Sequence, residues 1–185
     1  TSSTFNLPIK TDLVMDNAMV FSNGDSEMGL VIGDEDNYNF NRKLIIRVYK
    51  KTLSDWEDKN NIGVLIWNLY ESTNVHIIRS ERFTVGVKFN AKTKGFVYNT
   101  INIGVVVNSR YGVVLSNIYH GWCNENNFFI NRIQQNSTTH VTKSRFGIVI
   151  TSDDGLYNNT NNVFYKPSIE LSSKSGYECR AIWLE

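Results

Sequence analysis

Residues Arg110–Asn117 read RYGVVLSN, and residues Arg145–Ser152 read RFGIVITS. Placing Arg110 on Arg145 brings Gly112 onto Gly147, Val114 onto Val149 and Asn124 onto Asn159. Under the same shift Asn126 and Asn127 fall on Asn161 and Asn162, and Phe129 falls on Phe164. A self-similarity of about 35 residues is the mark of a repeat architecture. At a shift one residue shorter, Gly147 meets Ala181, where Ile182 and Leu184 resume the pattern. The Gly-Val unit also occurs at Gly63, Gly86 and Gly104, at shorter and irregular spacing.

The repeated unit is a strand. Apolar runs recur at Ile62–Trp67, Val75–Ile78, Val85–Phe89, Gly95–Tyr98, Ile103–Val107, Tyr111–Leu115, Phe128–Ile133, Phe146–Ile150, Val163–Tyr165 and Ala181–Leu184. None sustains a helical period. The chain has 24 asparagines and two prolines. Asparagine accepts the left-handed backbone of tight turns, so short strands separated by asparagine corners are expected. A propeller blade needs four strands per repeat, whereas each unit here shows two and a variable stretch. The expected fold is all-β: a right-handed parallel β-helix whose equivalent strands lie about 4.8 Å apart. Val114 over Val149 and Phe129 over Phe164 would form stacked apolar rows.

Residues 1–27 are weakly patterned and are expected to be an irregular lead-in; 28–185 carry the repeat. The chain begins at Thr1 and stops inside the apolar run Ala181–Glu185, which reads as a fragment of a longer rod, cut at the C-terminal end. Formal net charge is +1, which gives no basic field for nucleic acid. No apolar run nears the roughly 20 residues of a membrane helix. Cys123 and Cys179 have no metal-ligand spacing and read as buried, reduced thiols.

GFVYNTINIGVVVN (95–108), RYGVVLSN, GWCNENNFFINRI (121–133), RFGIVITSDDG (145–155) and NTNNVFYKPSIEL (159–171) together resemble phage tailspike and tail-appendage proteins of the pectate-lyase-like β-helix superfamily. The resemblance spans roughly residues 28–185. It implies a homotrimer in the virion, contacting bacterial surface polysaccharide and other tail proteins, without nucleic acid, membrane insertion or a cofactor. The alternative is a polysaccharide depolymerase, a hydrolase or lyase. No catalytic motif of the family is matched.

Glycoside cleavage needs two carboxylates. Glu125 and the Asp153–Asp154 pair fall in equivalent loops, beside Tyr119, His120 and Trp122, and these six residues form the expected glycan site. Asp34-Glu35-Asp36-Asn37 has the look of a calcium loop but not the twelve-residue order with its closing glutamate. His76, His120 and His140 are too scattered to define a triad. The repeat stacks Arg110 on Arg145, two like charges that call for a carboxylate or an anionic ligand between them.

Overall fold

In a computed structural model the described residues are 4–8, 10–21, 28–40, 43–152 and 159–185. The strands are β1 (Phe5–Leu7), β2 (Leu13–Val14), β3 (Met19–Phe21), β4 (Leu30–Ile32), β5 (Leu44–Lys50), β6 (Ile62–Trp67), β7 (Val75–Glu81), β8 (Val85–Ala91) and β9 (Gly95–Val97). They continue as β10 (Thr100–Val107), β11 (Tyr111–Asn117), β12 (Trp122–Asn124), β13 (Asn127–Gln135), β14 (Arg145–Ser152), β15 (Val163–Tyr165), β16 (Ser168–Leu171) and β17 (Cys179–Leu184). Among the described residues there is no α-helix, and no helix long and apolar enough to cross a membrane.

All strand pairings are parallel. A seven-stranded sheet has the order β1-β4-β6-β8-β11-β14-β17, and an eight-stranded sheet runs β15-β13-β10-β7-β5-β2, with β16 on β13 and β3 on β5. A third sheet pairs β12 with β9. Both large sheets are open at their edges. From β5 to β8 and again from β10 to β14 the chain passes repeatedly from one large sheet to the other. The lead-in, expected to be irregular, supplies three short strands that join both large sheets.

The register confirms the repeat and corrects part of it. Tyr111 pairs with Phe146 and Val113 with Ile148, the shift read from the sequence. Phe129 does not stack on Phe164, however: Phe128 faces Phe164 and Phe129 faces Tyr165. The connection after β14 is one residue longer than the one after β11. Because successive strand residues face opposite ways, this slip decides which phenylalanine is inside. Phe128 is fully buried, and its ring stacks on Phe164 at 4.9 Å. Val114 and Val149 do stack, but outside. They join Leu65, Tyr111 and Phe146 in a second apolar cluster, while Val113, Leu115 and Ile148 fill the core.

That core is walled by all three sheets. Val87, Phe89, Val113 and Leu115 meet Ile77, Ile103, Phe128 and Ile133 across it, with Phe96 and Cys123 closing the third side. Cys123 is buried, and burial pushes its thiol far above the ordinary value. Cys179 is exposed on β17 rather than buried, and both cysteines are free.

One row of the seven-stranded sheet is glycine at five successive positions. Gly29, Gly63, Gly86, Gly112 and Gly147 lie level on neighbouring strands. A Cβ on Gly112 would lie 2.6 Å from the Gly147 carbonyl oxygen, and one on Gly147 would lie 2.6 Å from that of Ala181. The Cβ of Gly112 would also meet Ile133 of the facing sheet at 2.6 Å. These glycines let the two sheets converge. Gly104, grouped with them by sequence, lies instead in the eight-stranded sheet on β10.

The corner leading into the eight-stranded sheet is an asparagine ladder. Asn99 donates from Nδ2 to Asn126 Oδ1 at 2.9 Å, and Asn126 does the same to Asn162 at 2.8 Å. Each amide also donates to a main-chain carbonyl of the preceding row: Asn99 to Leu69, Asn126 to Phe96, Asn162 to Cys123. The residue before each ladder position is left-handed: Tyr98 at φ 57°, Glu125 at 57° and Asn161 at 55°. The asparagines therefore serve mainly as bracing behind the turn, and most left-handed positions are held by other residue types.

Gly112→Ala should lower stability by about 2–3 kcal/mol, since neither the Gly147 carbonyl nor Ile133 can withdraw without bending a sheet. Urea unfolding followed by tryptophan fluorescence measures this. A loss below 0.5 kcal/mol would contradict the close approach.

Candidate functional site

The outer face of the eight-stranded sheet carries a groove of about 540 Å³. Strand register explains its position. His76, Asn102, Phe129 and Tyr165 form one level row across β7, β10, β13 and β15. Ile78, Gly104 and Asn131 form the next row, and all seven line the groove. The strand in the middle, β10, contributes the short residues Asn102 and Gly104 between longer neighbours. Glycine is required at 104: a Cβ would lie 2.5 Å from the Ile78 carbonyl oxygen. β7 gains one residue over β5 at this level, a register shift at Ile46/Arg47 that kinks the sheet.

Two rings bound the slot over Asn102. His76 stands one strand before it. Phe129 stands one strand after, its far face stacked on Tyr165 at 4.5 Å and 7°. Two strand spacings, about 9.6 Å, separate the His76 and Phe129 positions, room for one flat ring between them. Phe129 and Tyr165 are 43% and 41% exposed, which costs solvation unless something covers them. Among the described residues the side chains of His76, Asn102 and Asn131 hydrogen bond to nothing in the chain, in contrast to the buried, bonded Asn99 and Asn126. The groove thus offers the His76 imidazole, the Phe129 ring backed by Tyr165, and the unused amides of Asn102 and Asn131.

The sequence-expected site residues lie elsewhere. Tyr119 and His120 are exposed in the turn after β11, and Lys92 sits 5.5 Å over the Tyr119 ring. Trp122, on β12, packs over Gly95. Glu125 is an exposed, left-handed corner residue whose N–H donates to the Thr160 carbonyl at 3.0 Å. Asp153 and Asp154 lie outside the described residues. None of the other four lines the groove. The groove itself was missed because its signal is an absence, small side chains on one strand between large ones on the next two, and this shows only once the register is known.

The calcium-like cluster is a turn. Asp34 Oδ1 accepts from the N–H groups of Asp36 and Asn37, at 2.9 and 2.8 Å. Its carboxyl lies below the ordinary value: partial burial works upward, and these two bonds together with one from the Asn37 side-chain amide outweigh it. Lys92 bridges Glu35 and Asp36, and the bond to Glu35 raises the lysine's pKa. No grouping of three or more metal-ligating side chains occurs among the described residues.

Among the described residues no carboxylate pairs with either of the stacked arginines. Arg145 is fully buried, and its guanidinium donates to the carbonyls of Gln135, Ser137 and His140. Its planar face lies 5.1 Å from the Trp56 ring. Arg110 donates to the Trp56 carbonyl at 3.0 Å. Trp56 comes from the long connection 51–61, which turns Ser54 and Trp56 inward while Asp55, Glu57, Lys59 and Asn60 stay exposed. Its ring packs at 4.4 Å on His140 of the other long connection, 136–144. His140 Nε2 donates to the Ser54 carbonyl at 2.6 Å, and Lys143 pairs with Glu57. Main-chain dipoles and an aromatic face do here what an acid was expected to do.

No family model, curated protein or solved structure matches the chain.

Arg145→Met keeps the volume but takes a donor from three carbonyls, of which Gln135 and His140 keep a main-chain donor and Ser137 does not, and should cost about 1–3 kcal/mol. It should also open 51–61 and 136–144 to limited proteolysis. Wild-type stability with uncut loops would show that the guanidinium does not hold them.

Proposed function

We propose that the chain is a section of a right-handed parallel β-helix from a phage tailspike or tail appendage, and that it binds bacterial surface polysaccharide in the groove over β10. The fold part rests on the level rows of equivalent residues and on the repeated passage between parallel sheets. The binding part is carried by one observation: the slot over Asn102, bounded by the ring residues His76 and Phe129 and floored by an unbonded amide. Sugar rings have apolar faces that lie against aromatic rings and hydroxyls that bond amides, and this slot supplies both. Binding is favoured over cleavage, because glycosidic hydrolysis calls for a carboxylate pair and the groove's described lining contains no carboxylate. Trimeric assembly in the virion completes the reading. It rests on the sequence resemblance and is checked by sedimentation, where a species at three chain masses is expected and a clean monomer at high concentration argues against it.

Asn102→Tyr tests the slot directly. A tyrosine there continues the Phe129–Tyr165 stack and should leave stability unchanged or slightly raised, by up to about 1 kcal/mol. It should weaken binding to an immobilised capsular or O-chain polysaccharide at least tenfold in surface plasmon resonance. Unchanged binding by a folded variant would refute the slot.

A further inference from the structure

Tyr38, Phe40, Tyr70 and Tyr98 form a cluster of rings beside the corner that leads into β7 and β10. Tyr70 is its centre, 5.3 Å from Tyr38, 5.7 Å from Phe40 and 5.9 Å from Tyr98. Phe40 and Tyr98 are 41% and 51% exposed, so the cluster is a wet surface and not a satellite core. It borders a second pocket, of about 460 Å³, lined by Phe40, Tyr70, Glu71, Thr73 and Asn74 among others. Contiguous exposed rings of this kind mark binding surfaces.

The pocket adjoins the groove. Asn74 lines the pocket and His76 lines the groove; both are exposed, with buried Val75 between them, so they share the outer face. In the next row Tyr98 is exposed at the corner before β10, and Thr100 and Asn102 alternate on the strand with buried Ile101 and Ile103, from the ring cluster toward the slot. Six residues separate Tyr70 from His76, a reach of at most about 21 Å. The two linings share no residue, so a ligand that touches both has to be a chain rather than a single ring.

We propose that the ring cluster and its pocket form a second carbohydrate subsite, continuous with the β10 slot, so that the ligand is a glycan chain laid along β7 and β10 from Asn102 to Tyr70. This rests on the slot reading for one of its two ends. The mixture of rings with hydroxyl, amide and carboxylate groups fits a sugar chain better than an apolar protein patch. Phe40 and Tyr98 supply faces for pyranose rings, and Thr73, Asn74 and Glu71 supply polar partners.

The probes are oligosaccharides of two to eight units, prepared by partial hydrolysis from the capsular and O-chain polysaccharides of a bacterial panel. Affinity is measured by calorimetry for wild type, Asn102→Tyr, and the double variant Phe40→Ser with Tyr98→Ser. Thermal melting confirms that each is folded, which the exposure of both rings favours. Wild type should bind the longest fragments at least tenfold tighter than the shortest, because the second contact is intramolecular. The double variant should lose that gain and keep short-fragment binding at the slot. If the double variant binds long fragments as wild type does, the second subsite is overturned and the slot stands. If Asn102→Tyr changes nothing while the double variant loses binding, the slot fails and the ring cluster is a site by itself. If no fragment binds wild type, or a protein partner but no glycan protects the rings, both readings fall.

Discussion

The row of bare glycines is the constraint on which the rest depends. At Gly112 and Gly147 the place a Cβ would occupy is taken by the carbonyl oxygen of the next strand. The facing sheet closes in at the same level, with Ile133 against Gly112 and Ile169 against Gly147. The core is therefore narrow at this edge and wide at the other, where Phe89, Phe96 and Phe128 pack together. A wedge of this shape fixes which residues of each strand face inward. It thereby fixes the outward rows as well, including the one that runs from His76 through Asn102 to Phe129.

Much of this was legible from Arg110–Asn117 and its echo. The strand class, the parallel pairing of Tyr111 with Phe146 and the role of Gly112 follow from stacking like on like. The one-residue slip did not, for a definite reason. The sequence doubles its letters where the slip occurs, Asn126-Asn127 and Phe128-Phe129 against Asn161-Asn162 and Phe164. An alignment one residue out scores as well as the true one. Only burial, which separates Phe128 from Phe129, distinguishes them. The site was less legible still, because residue type pointed to acids and aromatics in one loop. The structure draws its rings from separate strands, level with one another but 36 or more residues apart in sequence.

The arginine pair shows the limit of pairwise charge reasoning. Two stacked guanidinium groups need acceptors, but the acceptors need not be acids. The connection 136–144 turns its carbonyls toward Arg145, and connection 51–61 supplies the Trp56 ring and carbonyl. A charge that looked like a ligand signal is used to fasten two long loops over the short turns between them. Loops of this length would otherwise carry unpaired main-chain groups into a buried place.

The asparagine ladder has a direction. Every Oδ1 accepts from the row before it, and Asn99 and Asn126 each donate an Nδ2 hydrogen to the Oδ1 of the row after, so the side-chain bonds from Asn99 through Asn126 to Asn162 run head to tail. Such a file of amides polarises itself, each bond strengthening the next. It also makes the two ends of the ladder chemically unlike. Whatever meets the Asn162 end is offered a donor, and whatever meets the Ser72 end, where the main-chain N–H bonds Asn99 Oδ1 at 2.9 Å, is met by the opposite sense. The ladder can be extended only in one orientation, by a row that brings an acceptor to Asn162.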